Sequence, residues 1–163
     1  MNKQDITLLY KYNQWTTAKI LDAASKVTHE QFIAPASFPH GGLRSTLIHA
    51  LSAEWVWRHR WEGTSLSAHL KPEDFPNVES LGARWVEEEK LLMAFVDNVT
   101  DEMLNSRFVY KNFKGTSFEK VLWQVMAHVI NHGTQHKTEA AALLTDFGCS
   151  PGDIDLVYFL DAM

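Results

Sequence analysis

Between Asp5 and about Ser25, the positions Leu9, Tyr12, Thr16, Ile20 and Ala23 recur at the spacing of one helical face and predict a first helix. Residues 32 to 44 interrupt the pattern with Pro35, Pro39, Gly41 and Gly42 and read as a loop. Ser45 is the expected N-cap of a second helix, from Thr46 to about Trp61, which Gly63 stops. Its apolar stripe is Ile48, Leu51 and Trp55, with His49 on the flank beside Ser45, Ser52 and Val56. A polar loop through Pro72 and Pro76 leads to a third helix starting near Ser80, whose stripe is Leu81, Trp85, Glu88, Leu92, Phe95 and Val99. Residues 106 to 115 suit a short strand or hairpin. Thr116 and Glu119 have capping-box spacing, which places the start of a fourth helix there. That helix should run to about Phe147, because Gly148 suits the left-handed position beyond a helix end. A short tail with Pro151 and Tyr158 follows. Four long helices with no internal repeat and no break in composition predict an all-α four-helix bundle, a single domain over residues 1–163.

The fourth helix changes the picture. At about 100° per residue, Phe118, Val121, Val125, His128, His132, His136, Glu139 and Leu143 share one face. The ends of this stripe are apolar, as a core requires, but its middle holds three histidines and a carboxylate. Burying polar groups without partners costs about 1–3 kcal/mol each, so such a stripe needs a compensating interaction. A divalent metal supplies one, since imidazoles four residues apart project side by side. Positions 128, 132 and 136 span roughly 12 Å of rise, too far for all three to meet one ion. The pair is therefore either His128 with His132 or His132 with His136. On the second helix, the small neighbours of His49 would let another helix approach, which makes His49 the best further ligand.

Composition narrows the function classes. The 163 residues are 45% hydrophobic and 21% charged, an ordinary globular balance rather than a disordered one. Net charge is -5 with both signs interspersed, which leaves no electrostatic footprint for nucleic acid. No apolar run approaches the ~18 residues of a membrane span, and the first residues lack a signal-peptide core. With the single cysteine, Cys149, excluding an internal disulfide, the expected location is the cytoplasm. A di-iron carboxylate bundle is excluded by the absence of paired Glu-x-x-His motifs.

Several pieces of the chain in order, Tyr12-Asn13-x-Trp15, Leu47-x-His49, Glu54-Trp55, Trp123-x4-His128-x3-His132-x3-His136 and Gly148-x2-Pro151-x3-Asp155-x2-Tyr158, carry a resemblance. The sequence resembles the DinB/YfiT-like family of helical-bundle metal proteins, which is unrelated in fold to the DNA polymerase sharing the DinB name. The resemblance implies a four-helix bundle, often a homodimer, with zinc or nickel held by one histidine of the second helix and two of the fourth. By position these are His49, His132 and His136. It leaves His128 outside the ligand set, suited to orienting a ligand or serving in acid–base chemistry. Where the family often has His-Arg-Gly-Gln, this chain reads His136-Lys137-Thr138-Glu139. Glu139 thereby places an acceptor-only charge beside the site, able to orient a histidine N–H, accept a proton or add a ligand.

Three neutral imidazoles leave a tetrahedral ion one open position, the arrangement of catalytic rather than structural zinc. Relatives of known activity resemble transferases and isomerases dependent on low-molecular-weight thiols, and some hydrolases. The expectation is therefore an enzyme that activates a thiol or water for attack on a small molecule, with Glu139 or His128 as acid or base. The competing expectation is a stress-related metal- or small-molecule-binding protein without turnover. Elsewhere, Glu88 reads as an edge position reached by water, and the six tryptophans read as core and interface mass. Arg58-His59-Arg60 reads as a solvated helix end, while His29, His40 and His69 fall at helix ends or in loops where exposure is expected. Asn13, flanking the first stripe, is a candidate to line a pocket but reads first as an edge position, and Cys149 reads as a bystander.

Overall fold

Asn2 starts the first helix by a reciprocal cap: its side chain accepts the Asp5 N–H, and the Asp5 carboxylate accepts the Asn2 N–H. The computed structural model describes residues 1–163. In chain order the elements are α1 (Lys3–Ala24), α2 (His29–Ile33), α3 (Leu43–Trp61), a 3-10 turn (Pro72–Asp74), α4 (Val78–Asn98), α5 (Asp101–Asn105), β1 (Arg107–Lys111), β2 (Ser117–Val121), α6 (Leu122–Asp146) and α7 (Leu156–Asp161). The four long helices make the expected bundle. α1 and α3 each pack against both α4 and α6, so helices consecutive among the four lie across the bundle in the pairs α1/α3 and α4/α6. No helix is long and apolar enough to cross a membrane.

Local chemistry moved several boundaries. α3 starts at Leu43, with Gly42 rather than Ser45 as N-cap. A Cβ at Gly42 would stand 1.8 Å from the Ala34 carbonyl oxygen, so close backbone approach, not side-chain capping, sets this end. A short α2, capped reciprocally by Thr28 and Gln31, forms ahead of the expected loop and takes only its first two residues, Phe32 and Ile33. The fourth long helix, α6, begins at Leu122 and not near Thr116. Ser117–Val121 instead pairs antiparallel with Arg107–Lys111, in register from Lys111↔Ser117 to Arg107↔Val121. Glu119, half of the supposed capping box, pairs with Arg107 across this hairpin at 2.9 Å. Thr116 gives its N–H to Asn112 Oδ1 in the turn. Phe118 and Val121 therefore leave the helical stripe. At its far end α6 closes as expected: Gly148 adopts φ 77°, and the N–H groups of Gly148 and Cys149 return to the carbonyls of Thr145 and Leu144.

The core is divided. One apolar cluster gathers Ile20, Phe32, Leu47, Leu51, Trp85 and Leu144; the other gathers Ile6, Tyr10, Leu92, Val96, Met126 and Phe159. α7 contributes to the second by seating Phe159 against Tyr12 and Trp15. Between the clusters lies a buried polar layer drawn from all four long helices. Lys137, 1% exposed, donates to Asn13 Oδ1 at 2.8 Å and to the Asn13 carbonyl at 3.0 Å. Its counter-charge is Glu54, 3.8 Å away and also 1% exposed. Glu54 accepts from Asn13 Nδ2 at 2.7 Å and from Trp85 Nε1 at 2.9 Å. Burial and the Glu54 charge push the nearby Glu89 up to about 7. Asn13 is thus a structural member of the core and not a pocket residue.

A second buried ion pair corrects two expectations. Glu88 is fully buried, not water-exposed, and accepts from Arg58 and, at 2.9 Å, from Arg84. Arg58, 5% exposed, also reaches Glu62 at 2.7 Å, and Arg60 is 9% exposed, so the Arg58-His59-Arg60 segment is no solvated end.

Removing one partner of a buried pair leaves an uncompensated charge, so Glu54→Leu should destabilise the fold by about 3–5 kcal/mol in urea denaturation. The double variant Glu54→Leu/Lys137→Met should recover much of that loss, because both charges go together. Equal midpoints for the wild type and Glu54→Leu would refute the pairing.

Candidate metal centre

α3 and α6 present their histidines to each other. His49 lies in the second turn of α3, while His132 and His136 are one turn apart in the middle of α6. The two Nε2 atoms of His49 and His132 stand 3.1 Å apart. Ring centroids are separated by 4.9 Å for His49–His132, 4.6 Å for His49–His136 and 4.4 Å for His132–His136. The structure thus brings together the three residues expected as ligands.

Each ring is fixed differently. His136 is 3% exposed and its Nδ1 lies 2.8 Å from Glu139 Oε2. An Nδ1–H donated to that carboxylate leaves Nε2 with its lone pair free, the tautomer a metal ligand needs. His132 Nδ1 is buried without a partner, so its contact with His49 is the one polar interaction that orients this ring. His128 departs from the expected inward stripe: it is exposed, and its ring packs 5.6 Å from Trp57 and 5.7 Å from His132.

One histidine that sequence reasoning set aside joins the cluster. His40 stacks on His49 with centroids 3.7 Å apart and rings 14° from parallel, and it meets His136 edge-on at 4.8 Å. Ring nitrogens of His40, His49 and His136 all fall within 4.8 Å of one another. The loop is turned inward by Gly41, whose φ of 84° favours glycine and whose N–H returns to the Phe38 carbonyl at 2.9 Å. His40 is therefore half-buried, against the expectation of exposure. The Pro39-His40-Gly41-Gly42 run marked a turn, but no periodicity told where the turn would point. His69, exposed as expected, is tied by Nδ1 to Ser52 Oγ at 2.8 Å. His40, His49, Ser52 and His69 line a cleft of about 290 Å³ beside the cluster. A larger hollow of about 620 Å³ between Lys3, Lys11 and Asp101 touches none of these histidines.

The electrostatics favour neutral rings. Burial and the surrounding imidazoles push His49 down to about 3, and burial with His136 and His128 pushes His132 down to about 4. The donor set fits a divalent ion. Two zinc–nitrogen bonds of about 2.0–2.1 Å at a tetrahedral angle separate their nitrogens by roughly 3.4 Å, close to the 3.1 Å between His49 and His132.

The profile of the DinB family matches residues 1–163. The chain belongs to the DinB family. A curated relative, Protein DinB of Bacillus subtilis (strain 168), is 22% identical over 159 residues, covering 93% of this chain and 92% of its own length.

The depressed imidazoles have a consequence for stability. Above about pH 6.5, the ordinary histidine value, both folded and unfolded chains carry them neutral. As pH falls below that point, the unfolded chain takes protons that the folded cluster refuses, so stability declines steadily towards pH 4. Chelator-treated protein should show this loss in denaturation midpoints, and the double variant His49→Gln/His132→Gln should show a shallower slope. Parallel slopes for the two proteins would remove the cluster as its source.

Proposed function

We propose that this DinB-family protein binds one divalent ion, zinc or nickel, through His49, His132 and His136, and uses it to act on a small molecule. The observation that carries the reading is the facing of His49 and His132 Nε2 atoms at 3.1 Å beside a His136 whose Nδ1 is held by Glu139. When bound, such an ion supplies Lewis acidity that makes a thiol or water a nucleophile at neutral pH. The protein groups do the rest. Glu139 orients His136 and raises its basicity. His128, exposed and with its ring 5.7 Å from that of His132, serves as the acid–base group. The cleft of about 290 Å³ admits a small molecule, and a low-molecular-weight thiol is the co-substrate proposed from the family resemblance. The working form is proposed to be a cytoplasmic homodimer, for which sedimentation should give twice the 18.6 kDa chain mass at micromolar concentration.

A second reading has its own support. His40 stacks on His49 within ligand reach of His136. A fourth imidazole would close the coordination sphere and make the protein a metal carrier without turnover. Cobalt substitution separates the two: a spectrum that changes on adding a thiol indicates an open position, whereas one indifferent to thiol indicates closure by His40.

Zinc titration at fixed pH tests the ligand set. His132→Ala and His136→Ala should each abolish tight binding, and Glu139→Ala should weaken it about 10–100-fold. Wild-type protein should melt higher with zinc than after chelation, since an ion that binds only the folded state adds stability. A His136→Ala variant that keeps tight zinc while His128→Ala loses it would shift the ligand pair by one helical turn.

A further inference from the structure

Arg60, in the last turn of α3, is a buried cation that the protein leaves without a partner. It is 9% exposed, its Nε meets no hydrogen-bond acceptor, and it takes part in none of the protein's ion pairs. The contrast with Arg58 two residues earlier is direct: that equally buried guanidinium is held by Glu88 and Glu62. Where an arginine of this helix serves the fold, carboxylates meet it. Around Arg60 there are aromatic rings instead. Its guanidinium carbon lies 4.6 Å from the centroid of Trp57, 4.8 Å from Tyr110 and 5.6 Å from Phe113. Such faces attract the cation and hold its plane, but they accept none of its N–H groups. The C-terminal dipole of α3 offsets part of the charge and likewise supplies no acceptor at the guanidinium.

The same rings border the histidine cluster. Phe113 packs on His69 at 4.5 Å, and Trp57 on His128 at 5.6 Å. Arg60 lies eleven residues beyond His49, three helical turns along the same face of α3. Side chains on a helix lean towards its N-terminus, which carries the guanidinium back towards the histidines. Burial first and the Arg60 charge next depress His69, consistent with that proximity.

We propose that Arg60 anchors an oxyanion group, a carboxylate or a phosphate, of the small molecule whose other end reaches the histidine cluster. Trp57, Tyr110 and Phe113 pre-set the guanidinium, so that its planar fork meets the anion with little ordering left to do. The identity of what lies at the other end rests on the metal-centred reading; the anion site itself does not.

The test uses chelator-treated, full-length protein at about pH 8, where the histidines are neutral and no metal competes for anions. Intrinsic tryptophan fluorescence and calorimetry follow titration with inorganic phosphate in one arm and succinate in the other. Saturable binding is expected, weakened at least about tenfold in Arg60→Gln and partly retained in Arg60→Lys. The arm with the tighter binding identifies the group as phosphate or carboxylate. Wild-type protein that binds neither anion by about 20 mM, or an Arg60→Gln variant that binds both equally well, would overturn the proposal. Should Arg60→Gln fail to fold by circular dichroism, the wild-type titration and Arg60→Lys still decide: saturable binding unaltered by the lysine would overturn it too. Because no metal is present, loss of zinc binding in a histidine variant leaves this result standing, and loss of anion binding leaves the zinc result standing.

Discussion

A lysine buried between two apolar clusters is the constraint on which the bundle depends. Lys137 can stay charged there only because Glu54, Asn13 and Thr16 are placed around it, at distances of 2.8 to 3.8 Å. Those partners come from α1 and α3, while Lys137 comes from α6, so satisfying one ammonium fixes three helices at once. Gly133 shows how closely: a Cβ there would stand 3.1 Å from Asn13 Oδ1, so α1 reaches α6 over a position that has none. Apolar faces alone would tolerate a slide by one turn, because one leucine layer packs much like the next. A hydrogen-bonded charge does not tolerate it. The layer therefore trades some stability for a defined axial register.

That register is also what assembles the histidines. α3 and α6 run antiparallel, with Trp57 against His128 and His49 against His136, so the Glu54–Lys137 pair and the His49–His132 contact tie the same stretch of the two helices. His136 and Lys137 are neighbours about 100° apart around α6, so one turn of helix serves the polar layer with one side chain and the histidine site with the next. The site inherits its precision from a core feature that touches no ligand. Its own carboxylate, Glu139, then sets the tautomer of a single ring, His136. His132 depends on its neighbours for orientation, since its Nδ1 meets nothing.

What could be read in the sequence follows from which forces are local. The long helices were legible because each repeats an apolar stripe, and the His-x3-His spacings were legible because helical geometry is local too. The start of α6 was not: Thr116 and Glu119 have the spacing of a capping box, but the hairpin claimed them, Thr116 in its turn and Glu119 in the strand paired with Arg107–Lys111. Gly42 displaced Ser45 as the cap of α3 because of the Ala34 carbonyl, eight residues away in sequence and in contact in space. Glu88 and Arg58 look solvated in sequence and are buried because they find each other across α3 and α4. His40 belongs to the same class. A turn rich in glycine can point anywhere, and the contacts that direct it towards His49 are tertiary.

The hairpin stands outside the layer that sets the register. It precedes α6 and packs on α3, so Tyr110 lies against Trp57 at 5.0 Å and on the guanidinium of Arg60. In the turn beyond, Phe113 bridges Arg60 to His69. Neither strand supplies a residue to the polar layer. The bundle's positional accuracy and the chemistry at its mouth are therefore carried by different parts of the chain. Changes in the hairpin alter what meets Arg60 and His69 while His49 and His132 keep their places, because Glu54 and Lys137 hold those two helices from below. The two parts answer to different forces: the constraint that positions the histidines is a buried charge pair, whereas the hairpin is held by strand pairing and aromatic contacts at the surface of α3.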